Sequence, residues 1–101
     1  MTSKDSSIER LLKALPLKER AWVIVDHWDG DLLAVGIARK DEPRRLVYVS
    51  TRNAGKGKYY YECEVPSGPD QTDYSVTDEG DEVDFDTLLR AMTKHLSRRG
   101  K

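Results

Sequence analysis

Segment 26–31, Asp-His-Trp-Asp-Gly-Asp, holds the densest group of side chains that could bind a metal ion. Carboxylates and an imidazole are ligands that divalent cations accept. However, successive side chains of a strand point to opposite faces, which separates Asp26 from His27 if the apolar run before them is a strand. Asp29 and Gly30 form a dipeptide that is typical of the tight turn of a β-hairpin. The pattern favours a hairpin, and we expect neither a metal ion nor a cofactor.

The residues needed for nucleophilic catalysis are few. The chain has one cysteine, Cys63, and two histidines, His27 and His95. A thiol and its base meet in space and not in sequence, so their spacing gives no support for a catalytic pair. Alternation puts Cys63 on the same strand face as Tyr59 and Tyr61, which predicts a small buried hydrophobic residue. Since no catalytic motif is recognisable, we expect a protein that is not an enzyme.

Acidic residues are concentrated in one part of the chain. The formal net charge is −1, but residues 62–86 contain ten Asp and Glu residues and no Lys or Arg. Asp is common in turns and at helix N-caps, so a solvated loop region is one explanation. The other is a negative surface that captures a basic partner, since clustered charge steers encounter. The residues expected to form that surface are Asp70, Asp73, Asp78, Glu79, Asp81 and Glu82.

The acidic block therefore leads to the first functional hypothesis, a small non-enzymatic domain that binds a basic protein. Trp28 is a possible anchor, because tryptophan is enriched at binding hot spots. Such a domain could serve as an immunity protein, an inhibitor or a chaperone-like protein. Small immunity proteins of bacterial toxin systems share its size, its acidity and its lack of catalytic residues, which is an analogy of function and not of descent. No stretch has the pattern of an EF-hand calcium loop.

Residues 39–58 have the opposite charge, with seven Lys and Arg and two acidic residues. They lead into residues 59–61, three tyrosines, and basic residues beside aromatic ones are typical of proteins that bind single-stranded nucleic acid. Nucleic-acid binding is therefore the alternative hypothesis, although Tyr60 shares its strand face with Glu62 and Glu64, which repel phosphate. The segment lacks the P-loop pattern. The residues expected to bind nucleic acid are Arg44, Arg45, Arg52, Lys56, Lys58 and Tyr59.

Two amphipathic helices are expected near the ends of the chain. Isoleucine and leucine at helical spacing predict the first over residues 7–15, and Ser6 and Glu9 have the spacing of a capping box. The second is expected over residues 85–98, with Asp84 as its N-cap.

Five strands are expected between the helices, because these runs are rich in Val, Ile and Tyr. Their predicted ranges are 20–28, 31–39, 44–51, 58–65 and 73–77, and residues 78–81 are predicted as a turn. Short connections favour antiparallel pairing. The expected fold is α+β: an N-terminal helix, a mainly antiparallel five-stranded meander and a C-terminal helix, in two layers with both helices on one face. We expect residues 1–101 to form one domain, with 1–5 and 99–101 as flexible tails.

Hydropathy gives no indication of a membrane protein. The apolar runs are too short to span a bilayer and no secretory leader is recognisable, so we expect a cytoplasmic protein with no membrane partner. The oligomeric state is left open between monomer and dimer, because the fifth strand could leave an edge that pairs with a second copy.

Overall fold

Helices at both ends of the chain pack on a five-stranded antiparallel sheet in the computed structural model, which describes residues 4–25, 30–70 and 73–97. The helices are α1 (Ser6–Ala14), α2 (Leu17–Arg20) and α3 (Phe85–Leu96). The strands are β1 (Trp22–Val25), β2 (Ala34–Arg39), β3 (Glu42–Ser50), β4 (Tyr59–Pro66) and β5 (Tyr74–Val83). Each strand pairs with the next, so the sheet order is β1-β2-β3-β4-β5. The predicted α+β meander is confirmed.

Both long helices cover the same face of the sheet, here called the covered face. The apolar stripes of α1 and α3 meet alternate residues of the three central strands, as the periods of helix and strand require. The central residues of this core are Ile8, Leu11, Val35, Ile37, Val47, Val49, Tyr61, Cys63, Leu88 and Met92. The opposite face carries no helix in the described part of the chain and is called the helix-free face.

The predicted capping box of α1 is wrong, because a different residue caps the helix. The Asp5 carboxylate accepts hydrogen bonds from Ser7 N at 3.0 Å and from Ser7 Oγ at 2.7 Å. These bonds lower the pKa of the Asp5 carboxyl. Ser6 is the first helical residue rather than the cap, which moves Glu9 out of the position that a capping box requires.

The connection between β1 and β2 is longer than a two-residue turn. β2 begins three residues later than the predicted range 31–39, and Asp31 Oδ1 accepts from Leu33 N at 3.0 Å. Lys4 Nζ donates a hydrogen bond to Asp31 O at 2.7 Å, and Asp5 N donates one to Leu32 O at 2.9 Å. Lys4 and Asp5, which the sequence analysis placed in a tail, therefore lie against this turn. Asp26, His27, Trp28 and Asp29 lie outside the described residues.

The largest departure from the expected fold is β5, which has 10 residues where five were expected. Residues 78–81 continue the strand instead of forming a turn, and two register shifts interrupt its pairing with β4. Gly80, which suggested the turn, lies under the ring of Tyr61, where a Cβ would collide with the ring. Four of the ten residues of the acidic block, Asp78, Glu79, Asp81 and Glu82, therefore belong to an edge strand.

The helix ends near the sheet follow from local hydrogen bonding. α3 begins as predicted, because Asp84 Oδ1 accepts from Thr87 N at 2.8 Å and caps the first turn. α2 was not predicted; it ends at Ala21, whose left-handed conformation (φ 56°) turns the chain into β1. Among the described residues, no helix combines the length and the apolar character needed to cross a membrane.

We expect Asp5→Ala to lower the thermal unfolding midpoint by a few degrees, because it removes the N-cap of α1. Ser6→Ala is the matched control and should leave the midpoint nearly unchanged, since Ser6 makes no capping bond. Thermal unfolding followed by circular dichroism measures both variants. A larger loss in Ser6→Ala would show that the predicted capping box forms after all.

Candidate binding surface

The six acidic residues predicted to bind a partner form a strip and not one compact patch. Asp70 and Asp73 lie in the loop before β5, whereas Asp81 lies near the end of the strand. A strand rises roughly 3.3 Å per residue, so Asp73 and Asp81 are separated by up to about 26 Å, and the two register shifts of β5 shorten this distance. The register puts Asp78 on the covered face opposite Cys63.

Asp70 and Asp73 organise the loop between β4 and β5. The Asp73 carboxylate accepts from Asp70 N at 3.3 Å, and Asp73 O accepts from Ser67 N at 2.8 Å. The Arg44 guanidinium donates to Asp70 O at 2.6 Å and to Gly68 O at 3.0 Å. The Asp73 carboxylate and the backbone of Asp70 therefore take part in the fold of the loop.

The remaining four acidic residues, Asp78, Glu79, Asp81 and Glu82, are exposed along β5 and are called the acidic edge. Within the described ranges, none of them forms an ion pair with a lysine or arginine. Neutral donors approach three of them: Tyr61 OH at 3.3 Å from Asp78, Tyr60 OH at 3.4 Å from Glu79, and Gly55 N at 3.2 Å from Glu82. Arg45 and Lys94 line the same cavity as Asp78, and Lys58 lies with Glu82 beside Gly55, but none of these cations is close enough for an ion pair.

The basic residues predicted to bind nucleic acid are divided between two faces and a loop. Arg44 lies on the helix-free face, whereas Arg45 lies on the covered face and donates from Nε to His95 O at 2.8 Å. Arg52 pairs with Asp31 at 3.0 Å. The residues that remain together are Lys56, Lys58 and Tyr59, in and beside the loop between β3 and β4.

Cys63 and His95 line one small cavity, together with Asp78. Burial, reinforced by the charge of Asp78, raises the pKa of the Cys63 thiol to about 12, so the thiol stays protonated at neutral pH. His95 Nε2 lies 3.1 Å from Glu64 O, and it must donate because a carbonyl only accepts. Burial lowers the pKa of His95. The His95 hydrogen bond therefore joins α3 to β4, and Cys63 does not offer a thiolate for catalysis.

Sequence reasoning missed a cluster of carboxyl groups and tyrosines on the helix-free face. Glu62 pairs in register with Tyr48 on one side and with Glu79 on the other. Tyr60 donates its hydroxyl proton to Glu62, and its ring meets that of Tyr48 edge to face, with centroids 6.3 Å apart. The alternation of β4 did place Tyr60, Glu62 and Glu64 on one face. Because residues 78–81 were predicted as a turn, Glu79 was not expected to lie beside them in the sheet.

Glu64 completes this cluster and is its most buried member, with 8% of its surface exposed. It lies in register between Leu46 of β3 and Val76 of β5. Burial raises the pKa of Glu64 to about 7, and the neighbouring Glu62 adds to the shift by accepting its proton in a hydrogen bond and by repelling its charge. Glu64 therefore holds its proton to a higher pH than an exposed carboxyl does.

Comparison of the chain with protein-family models, with curated proteins and with solved structures finds no match in any of the three. In the described part of the chain, no three His, Cys, Asp or Glu side chains are placed to hold a metal ion.

Glu64→Gln tests the environment of the buried carboxyl. A pKa raised from 4.5 to about 7 on folding means that this group stabilises the fold most below pH 4.5 and loses that contribution as the pH rises through 7. Glutamine does not titrate, so the variant avoids this loss. The unfolding free energy of Glu64→Gln minus that of wild type should therefore be about 1–2 kcal/mol larger at pH 8 than at pH 5. Urea unfolding at both pH values measures it.

The difference between variant and wild type isolates Glu64, because His95 titrates in both proteins. The lowered pKa of His95 acts in the opposite direction, costing stability as the pH falls below its usual pKa of 6.5. Glu9→Gln, at an exposed position of α1, is the control and should show no comparable trend. A flat difference for Glu64→Gln would contradict the raised pKa.

Proposed function

We propose that this protein is a non-enzymatic binding domain that engages a basic protein partner through the acidic edge. The observation that carries the proposal is the row of four exposed carboxylates along β5, none of which forms an ion pair with a described lysine or arginine. Such a row attracts a basic surface over distances near the Debye length, roughly 8 Å at physiological salt. It therefore accelerates encounter with a basic partner and disfavours acidic ones.

The position of β5 at the edge of the sheet supports the same proposal. An edge strand presents backbone N–H and C=O groups that another chain can pair with. Carboxylates and bulges on the edge disfavour pairing with a second acidic copy, since like charges repel. A basic segment of a different protein meets no such repulsion, and it could pair with the backbone while its lysines and arginines neutralise the edge.

The functional class that fits is an inhibitor, an immunity protein or a chaperone-like protein, which covers a basic surface of its target. The interface would use charge for rate and selectivity more than for total affinity. Cys63 is a free buried thiol, which is compatible with the reducing cytoplasm, the location we propose.

The first experiment identifies what the domain captures. The tagged protein is used in affinity purification from the lysate of its source, at low and moderate salt and with or without nuclease. A basic protein recovered in near-stoichiometric amount after nuclease treatment supports the proposal. Recovery of nucleic acid, or of proteins that nuclease removes, would contradict it and favour the loop that carries Lys56 and Lys58.

Charge reversal on the acidic edge tests the interface itself. Asp81→Lys with Glu82→Lys should slow association with the captured partner about tenfold at low salt and weaken its salt dependence, with little change in dissociation. Surface plasmon resonance at several salt concentrations measures both rates. Circular dichroism must first confirm the fold, because Glu82 accepts a bond from Gly55 N.

Glu9→Lys with Glu19→Lys is the matched control, since it changes the net charge equally at exposed positions of α1 and α2. This control should retain most of the association rate. If both double variants slow association equally, the acidic edge is not the interface and only net charge matters.

A further inference from the structure

We propose that a cleft between α2, β1 and the end of α3 binds a small organic anion with an apolar body, and that Arg20 and Lys40 recognise its acid group. The acid group is a carboxylate or a phosphate. The cleft is called the anion cleft below. This inference goes beyond the proposed function, because β1 and β5 are opposite edges of the sheet, four strand spacings or roughly 19 Å apart.

The anion cleft has the size and the lining of a small-molecule site. Its volume is about 570 Å³, and such sites usually measure roughly 300–1,000 Å³ with mostly apolar walls. Trp22 and Leu96 are the large apolar residues of its described lining, and they are only 5% and 2% exposed. Because burial of apolar surface is favourable, this lining selects a ligand with an apolar body.

Two cations are placed at the cleft by the backbone. Ala21 ends α2 in a left-handed conformation directly after Arg20, and its carbonyl oxygen accepts a hydrogen bond from Lys40 N at 2.9 Å. The turn from α2 into β1 therefore lies beside the turn from β2 into β3. Arg20 and Lys40 are exposed at this corner, and both line the cleft.

Arg20 is held in position by contacts that leave its charge intact. Its guanidinium carbon lies 5.6 Å from the centroid of the Trp22 ring, and Nη1 donates to Thr93 Oγ1 at 3.3 Å. Within the described ranges, no carboxylate forms an ion pair with Arg20 or Lys40. A guanidinium that is already oriented loses less freedom on binding, and its planar fork suits a carboxylate or a phosphate.

The negative groups beside the cleft are bonded within the fold. Asp41 is the one carboxylate of the described lining, and its two oxygens accept from Arg39 Nε and Nη2 at 2.9 Å each. The carbonyls at the end of α3 would repel an anion. However, Ser97 O accepts from Arg39 Nη1 at 3.2 Å, and Lys94 O accepts from Ser97 Oγ at 3.0 Å. These bonds reduce the repulsion that an anion would meet.

A neighbouring cavity extends the positive charge along α3. It shares Arg20 and Thr93 with the anion cleft. Cations outnumber carboxylates in the described lining of the two cavities, which contains Arg20, Arg39, Lys40, Arg90 and Lys94 against Asp41 and Asp86. A concave surface with charge of one sign concentrates ligands of the opposite sign. The charge distribution therefore favours an organic anion over a neutral compound or a cation of similar shape.

The test uses benzoate as the probe and the whole protein labelled with ¹⁵N. We expect saturable chemical shift changes centred on Ala21, Trp22 and Lys40, with a dissociation constant in the low millimolar range or tighter. Acetate lacks the apolar body and benzamide lacks the charge, so each should bind about fivefold more weakly or worse. Phenyl phosphate distinguishes the acid groups: tighter binding than benzoate assigns a phosphate ligand, and weaker binding assigns a carboxylate.

Variants at the rim test which residues recognise the charge. Lys40→Gln changes an exposed side chain and should weaken benzoate binding about threefold. Arg20→Gln should weaken it about fivefold or more, and Arg20→Lys should restore only part of the loss because lysine lacks the planar fork. Lys18→Gln is the matched control, since Lys18 is exposed on α2 outside the described lining. It should bind benzoate as wild type does.

Three outcomes would overturn the anion cleft. The first is the lack of a saturable shift change at Trp22 with benzoate. The second is equal binding of benzamide, which would show an apolar cavity without recognition of charge. The third is equal weakening in Lys18→Gln and Lys40→Gln, because only net charge would then matter. Capture of a basic protein and its loss in the acidic-edge variant test the proposed function separately, and either result there leaves the benzoate titration unaffected.

Discussion

The alternation of β4 is the constraint on which the rest of the structure depends. Tyr61 and Cys63 must face α1 and α3 to complete the core, and both are buried there. Because successive side chains of a strand point to opposite faces, Glu62 and Glu64 are then forced onto the helix-free face. A shift of one residue in register would expose the ring and the thiol and bury two carboxyl groups under the helices. The core therefore determines where the acidic cluster lies.

The same constraint explains what the sequence could predict. The helices at both ends have regular apolar stripes, and the central strands are rich in β-branched and aromatic residues. The approximate ranges of these elements and the meander could therefore be predicted from the sequence. The cap at Asp5 was missed because Ser6 and Glu9 imitate a capping box one residue later. β5 was cut short because Asp, Glu and Gly have low β-propensity, whereas pairing with β4 overrides that preference. The cluster of carboxyl groups and tyrosines on the helix-free face was missed for the same reason, since it needs Glu79 in the sheet.

The acidic edge combines two roles that are often opposed. An unpaired edge invites association, and natural proteins protect such edges with charge and bulges. β5 has both devices: four exposed carboxylates and two register shifts. Protection of this kind is selective, because the carboxylates that repel a second acidic chain attract a basic one. Under the proposed function, the sign of the charge determines which partners the edge accepts.

The buried Glu64 has an energetic consequence for the whole domain. Holding its carboxyl in a site that disfavours the charge costs on the order of 1–2 kcal/mol above neutral pH. One fully buried aliphatic side chain contributes about 1.5–3 kcal/mol, so a single residue such as Ile37 offsets this cost. The covered face has many such residues, and the fold can therefore retain an unfavourable carboxyl on its other face. Glutamine would fill nearly the same volume without that cost, so packing alone does not require a carboxyl at this position.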